Sequence, residues 1–82
     1  MTEVNPTVTV DCRGMACPGP ITSVARTYRK AKNGDVLEIL ATDPGFIPDI
    51  KSWASATSNE ILSLKEEDGV IRALVKITGK RE

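Results

Sequence analysis

The 82-residue chain has no histidine, and that absence removes a good deal of chemistry. Without an imidazole there is no Ser-His or Cys-His pair, no general base titrating near neutrality and no histidine metal ligand. Cysteine is scarce as well. Cys12 and Cys17 are too few for a closed structural zinc site, and too few and too close in sequence for a secreted disulfide framework. Trp, Tyr and Phe occur once each, and eleven Lys+Arg balance eleven Asp+Glu. A nucleic-acid binder wants a basic face and stacking rings, so direct nucleic-acid binding is not expected. No apolar run approaches the roughly 18 residues that span a bilayer, and Met1 to Pro6 lacks the charged and apolar regions of a signal peptide. The expectation is a cytoplasmic protein with no membrane partner. Its length suits a single domain, residues 1–82, with an ordered core from about 7 to 78.

What is present falls into short periodic segments. From Thr7 to Cys12 the pattern alternates, with Val8, Val10 and Cys12 on one side and Thr7, Thr9 and Asp11 on the other, as in a half-buried strand. Ile21, Val24, Ala25, Tyr28 and Ala31 recur at helical spacing, with Arg26, Arg29 and Lys30 opposite. This predicts an amphipathic helix ending near Asn33-Gly34, where glycine suits a left-handed cap. Val36 to Thr42 is nearly continuous in apolar residues and reads as a central strand. Asp43-Pro44-Gly45 signals a turn. A shorter helix follows, with Pro48 in its first turn and Ile47, Ile50, Trp53 and Ala54 facing inward.

Asn59 to Glu66 and Val70 to Thr78 are two more strands, joined by a hairpin at Asp68-Gly69. The order βαβαββ predicts a two-layer α/β sandwich: a mixed four-stranded sheet with both helices on one face. Ile71, Ala73, Val75 and Ile77 should face the helices, leaving Arg72, Leu74 and Lys76 outside. Val36 and Leu40 would add to that outer face, either as scattered surface hydrophobes or as a weak contact surface.

Cys17 is the most informative residue. It follows a strand and a short glycine-containing loop and precedes a helix, so the positive end of the helix dipole favours its thiolate. Arg13, four residues earlier, could add positive charge. Pro18 and Pro20 lack N–H groups, which removes two donors from the helix mouth and stiffens the approach. The first helical residue is Pro18, or else Gly19 is the cap and Cys17 stands further out on the loop. A modest lowering of the Cys17 pKa follows. Cys12 shares a face with Val8 and Val10 and reads as a buried thiol, although a Cys12–Cys17 disulfide is open to it. Asp43 and Asp49 sit at a turn and a helix start, where capping explains them better than paired catalysis.

Asp11-Cys12-Arg13-Gly14-Met15-Ala16-Cys17-Pro18-Gly19-Pro20 resembles the D-x-R-G-x-x-C-P-x-P signature of the TusA/SirA sulfur-carrier family. The resemblance continues through Ala41-Thr42-Asp43-Pro44-Gly45, Asp49-Ile50 with Trp53, and Asn59-Glu60-Ile61-Leu62. It implies that Cys17 accepts sulfane sulfur as a persulfide and relays it. The donor would be a cysteine desulfurase or a rhodanese. The acceptor would be a DsrE-like relay protein, leading to tRNA thiolation or to sulfur-metabolism machinery. Supporting signature positions carry over to Asp11, Arg13, Gly14, Pro18 and Pro20, and Asp43 and Pro44 match the family's second loop. Gly19, between the prolines, is a further supporting candidate. Cys12 stands where the family often has another small residue and leaves a second thiol open.

No cofactor or metal is implied, and the protein would be a covalent carrier with at most sulfurtransferase activity, monomeric or weakly dimeric. Thiol–persulfide exchange needs an accessible thiolate and a partner but no base of the protein's own, so the missing histidine fits. Two other readings stay open: a regulatory or interaction module in which Cys17 is incidental, and a dithiol redox protein using Cys12 and Cys17.

Overall fold

The computed structural model describes residues 6–15 and 19–80. These form β1 (Val8–Cys12), α1 (Gly19–Lys30), β2 (Val36–Ala41), α2 (Phe46–Thr57), β3 (Glu60–Glu67) and β4 (Val70–Lys76). The sheet order is β1-β2-β4-β3. β1 runs parallel to β2, while β4 is antiparallel to both of its neighbours. The mixed four-stranded sheet and two helices expected from the sequence are therefore present.

Alternation decides which residues reach the core. Leu37, Ile39 and Ala41 of β2 are fully buried, as are Ala73 and Val75 of β4, with Ile71 nearly so. They join Cys12, Val24, Phe46 and Ile50 in one cluster, which places both helices on the same side of the sheet. The helices also meet edge to face through Tyr28 and Trp53, their rings 5.3 Å apart and nearly perpendicular. Such a contact adds about 0.5–1.5 kcal/mol beyond the area it buries. The other sheet face holds Glu38 between Thr9 and Arg72. Thr9 Oγ1 donates to Glu38 Oε1 at 2.8 Å, and Arg72 Nε donates to Oε2. These bonds, from Thr9 first and Arg72 second, hold the Glu38 carboxyl below its usual range. A polar ladder thus crosses three strands and divides the outer hydrophobes Val36, Leu40 and Leu74.

Some boundaries differ from the periodicity. α1 ends at Lys30 rather than near Asn33-Gly34. Gly34, at φ +97°, serves a separate turn in which the Asp35 N–H donates to the Lys32 carbonyl at 3.0 Å, and Lys32 N–H donates to the Asp35 carboxylate at 2.9 Å. Asn59 precedes β3 instead of opening it, because its side-chain oxygen accepts the N–H groups of both Thr78 and Gly79 at 3.0 Å. The β3–β4 hairpin does close at Asp68-Gly69, whose φ values of 51° and 79° suit a two-residue type I′ turn. β3 carries an irregularity between Ile61 and Ser63, which leaves Leu62 exposed.

Candidate functional site

The C-terminal ends of the parallel pair β1 and β2 lie side by side, with Cys12 opposite Ala41. Both residues are fully buried, so the chain segments that leave them start from fixed points. After Cys12 the chain makes a tight turn: the Met15 N–H donates to the Cys12 carbonyl at 3.2 Å. Gly14 occupies the third position of that turn at φ +82°, where a type II turn calls for glycine. The Gly14 N–H in turn donates to Thr42 Oγ1 at 2.9 Å, across 28 residues of sequence.

Arg13, on the same turn, bonds to Asp11 three times. Its backbone N–H and Nε reach Oδ1 at 3.1 and 2.9 Å, and Nη2 reaches Oδ2 at 2.8 Å. The Arg13 side chain, aided by its backbone N–H, holds the Asp11 carboxyl down at about 2. From the sequence, Arg13 could add positive charge to the thiol's loop. The structure instead pairs it with a carboxylate, so the two together bring little net charge.

On the far side, α1 contains Gly19, so Gly19 is helical rather than the cap. Glycine tolerates this position because it has no Cβ to crowd the following proline. Pro20 is buried beneath it, and its carbonyl accepts the Cys12 thiol at 3.9 Å. A Cβ on Gly19 would stand 3.3 Å from the Met15 Cβ, so Met15 and Gly19 lie against each other. Ser23 Oγ reaches the Met15 sulfur at 3.7 Å, adding a second tie between turn and helix. Cys17 and Pro18 lie outside the described residues.

Cys12 is inside the core. Burial pushes its thiol up, only partly offset by a hydrogen bond with Ser23. The second loop is also built: Asp43 Oδ1 accepts the Gly45 N–H at 3.1 Å, and the Asp43 carbonyl accepts the Phe46 N–H at 2.9 Å. Asp43 therefore shapes the entry to α2, while the residue that caps it, Gly45, has no side chain to offer. Pro44 follows Asp43 in the same loop, and Asp49 falls in the first turn of α2. Thr42, Met15 and Ser23 were not singled out from the sequence. Only the β1–β2 register brings Thr42 to Gly14, and no local pattern announces that register. Among the described residues no group of three or more His, Cys, Asp or Glu could ligate a metal, and no helix is long and apolar enough to cross a membrane.

On α1, Arg26, Arg29 and Lys30 are exposed. Arg26 and Lys30 line a groove of about 420 Å³ with Thr7 and Val8 of the sheet edge. Val8, on the core-facing side of β1, opens into this groove and is consequently exposed.

These features define a class: a small α/β sandwich in which a parallel strand pair presents two linked loops, the first leading through a Cys-Pro-x-Pro segment into a helix. The family model for the sulfurtransferase TusA matches residues 8–77, and the chain belongs to that family. It is 39% identical over 67 residues to the sulfur carrier protein TusA of Allochromatium vinosum, covering 82% of this chain and 88% of that one. A candidate sulfur carrier of Aquifex aeolicus is 41% identical over 76 residues, 93% of this chain but 39% of its own length. The candidate sulfur carrier YrkF of Bacillus subtilis is 36% identical over 74 residues, 90% of this chain and 40% of its own. The chain thus spans about two fifths of those last two relatives. A crystal structure of a SirA-like protein from Desulfitobacterium hafniense shares the fold, with a TM-score of 0.77 at 20% identity over 87% of this chain and 97% of that one.

Proposed function

We propose that the protein carries sulfane sulfur as a persulfide on Cys17, between a donor such as a cysteine desulfurase or rhodanese and a DsrE-like acceptor. The observation that carries this reading is the TusA family match across residues 8–77, which contains the Cys17-Pro18-Gly19-Pro20 segment intact. The burial of Cys12 supports giving the work to one thiol rather than two. In the transfer step the Cys17 thiolate attacks the outer sulfur of a donor persulfide. One S–S bond forms at Cys17, and the donor's S–S bond breaks. The electron pair of the broken bond leaves on the donor thiolate, while the transferred sulfur keeps its proton. No external oxidant or reductant is required.

Asp11, Arg13, Gly14, Gly19 and Pro20 would serve by fixing the two ends of the Cys17 segment, with Pro18 stiffening it. Asp43 and Pro44 would set the facing loop. The basic face of α1 suits an acidic donor surface. Incubation with a cysteine desulfurase and cysteine, or with a rhodanese and thiosulfate, should add one reducible sulfur by intact mass. Cys17→Ser should gain none; equal gain in Cys17→Ser would refute the assignment.

A further inference from the structure

Thr42 is exposed, so its side chain is not needed to fill the core. Its hydroxyl nevertheless takes the Gly14 N–H at 2.9 Å. The backbone around it is held on both sides: Ala41 before it is fully buried, and Asp43 after it bonds to Gly45 and Phe46. Phe46 is itself only 1% exposed, so the second loop is pinned to the core at each end. The Gly14 turn leaves the equally buried Cys12 and meets α1 where Ser23 reaches Met15 at 3.7 Å, but it is less covered. Its members Arg13, Gly14 and Met15 are all exposed, and the bond that closes it, from Met15 N–H to the Cys12 carbonyl, is internal to the turn. The Thr42 hydroxyl ties that turn to the pinned second loop, three residues before Cys17.

We infer that Thr42 is a positioning residue for sulfur transfer: its hydroxyl holds the Gly14 turn, and so sets where the chain departs towards Cys17. This rests on Cys17 being the sulfur acceptor. Valine keeps the shape of threonine without the acceptor oxygen, whereas serine keeps the oxygen. A single hydrogen bond of this kind corresponds to roughly a three- to tenfold effect.

The test compares wild type, Thr42→Val and Thr42→Ser in three measurements: Gly14 amide hydrogen exchange, alkylation of Cys17 by iodoacetamide as a function of pH, and persulfide loading from a desulfurase with cysteine. Thr42→Val should speed Gly14 exchange and change the Cys17 alkylation and loading rates by about three- to tenfold. Thr42→Ser should stay close to wild type in all three. Equal Cys17 rates in all three proteins would overturn the inference, and so would an equal change in the serine variant. A wild type that takes up no sulfur, while its alkylation still depends on the Thr42 oxygen, would instead overturn the carrier reading and leave Thr42 positioning Cys17 for some other chemistry.

Discussion

A carboxylate that accepts three hydrogen bonds from a single arginine is hard to protonate, and Asp11 is in that position. Its value of about 2 lies below the ordinary 3.8. The pair therefore favours the folded state above the ordinary carboxylate range and loses that effect as the pH falls towards 2. Both side chains are about half exposed, so the contribution to stability is small and screened by salt. Its use is local: it sets the Arg13 side chain and removes its free charge from the loop. An NMR titration of the Asp11 carboxyl should find a midpoint near 2, and Arg13→Ala should return it towards the ordinary value. A midpoint already near the ordinary value in the wild type would contradict the paired geometry.

The strands and helices are where the sequence spoke most clearly. Alternation from Val70 onwards identified Ile71, Ala73, Val75 and Ile77 as the core face, and all four are buried, Ile77 just past the end of β4. Asp68-Gly69 identified the hairpin because a two-residue turn at positive φ leaves few residue choices. The inward positions of α2 were legible at Ile50 and Ala54, but Phe46 was missed. It lies at the first residue of the helix, before a periodic pattern can be read. The signature around Cys17 was legible as a pattern, whereas the partners of its flanks were not. Arg13 binding Asp11 and Thr42 binding Gly14 depend on rotamers and strand register, which composition does not encode. Phe46→Ala should cost about 3–5 kcal/mol, read as a shift in urea midpoint at unchanged slope. Leu62→Ala, on the exposed irregularity of β3, should stay within about 0.5 kcal/mol of wild type. Equal losses for both would contradict the burial pattern.

At the scale of the whole molecule, Gly79 and Lys80, just beyond β4, fasten the helix layer to the sheet. The Asn33 side chain brackets the Lys80 backbone: its Nδ2 donates to the Lys80 carbonyl and its Oδ1 accepts the Lys80 N–H. The Lys80 ammonium reaches the Ala31 carbonyl and lies 4.7 Å from the Tyr28 ring centre. Gly79 passes so close to the end of α2 that a Cβ there would stand 1.8 Å from the Thr57 carbonyl oxygen. Gly79→Ala should therefore destabilise the fold by roughly 1–3 kcal/mol; an unchanged urea midpoint would mean that the tail is not seated there. This fastening lies near Ala31 and Thr57, at the C-terminal ends of both helices, whereas the Gly14 turn meets the start of α1. A scaffold held at one end can present two short loops at the other.

In the proposed function sulfur rides on Cys17 and not on Cys12, and trypsin separates the two. Cleavage after Arg13 leaves Cys12 on residues 1–13 and Cys17 on residues 14–26. After loading by a desulfurase with cysteine, trapping of persulfides and digestion, mass spectrometry should find the added sulfur on the 14–26 peptide alone. Added sulfur on the 1–13 peptide, or on neither, would contradict the account.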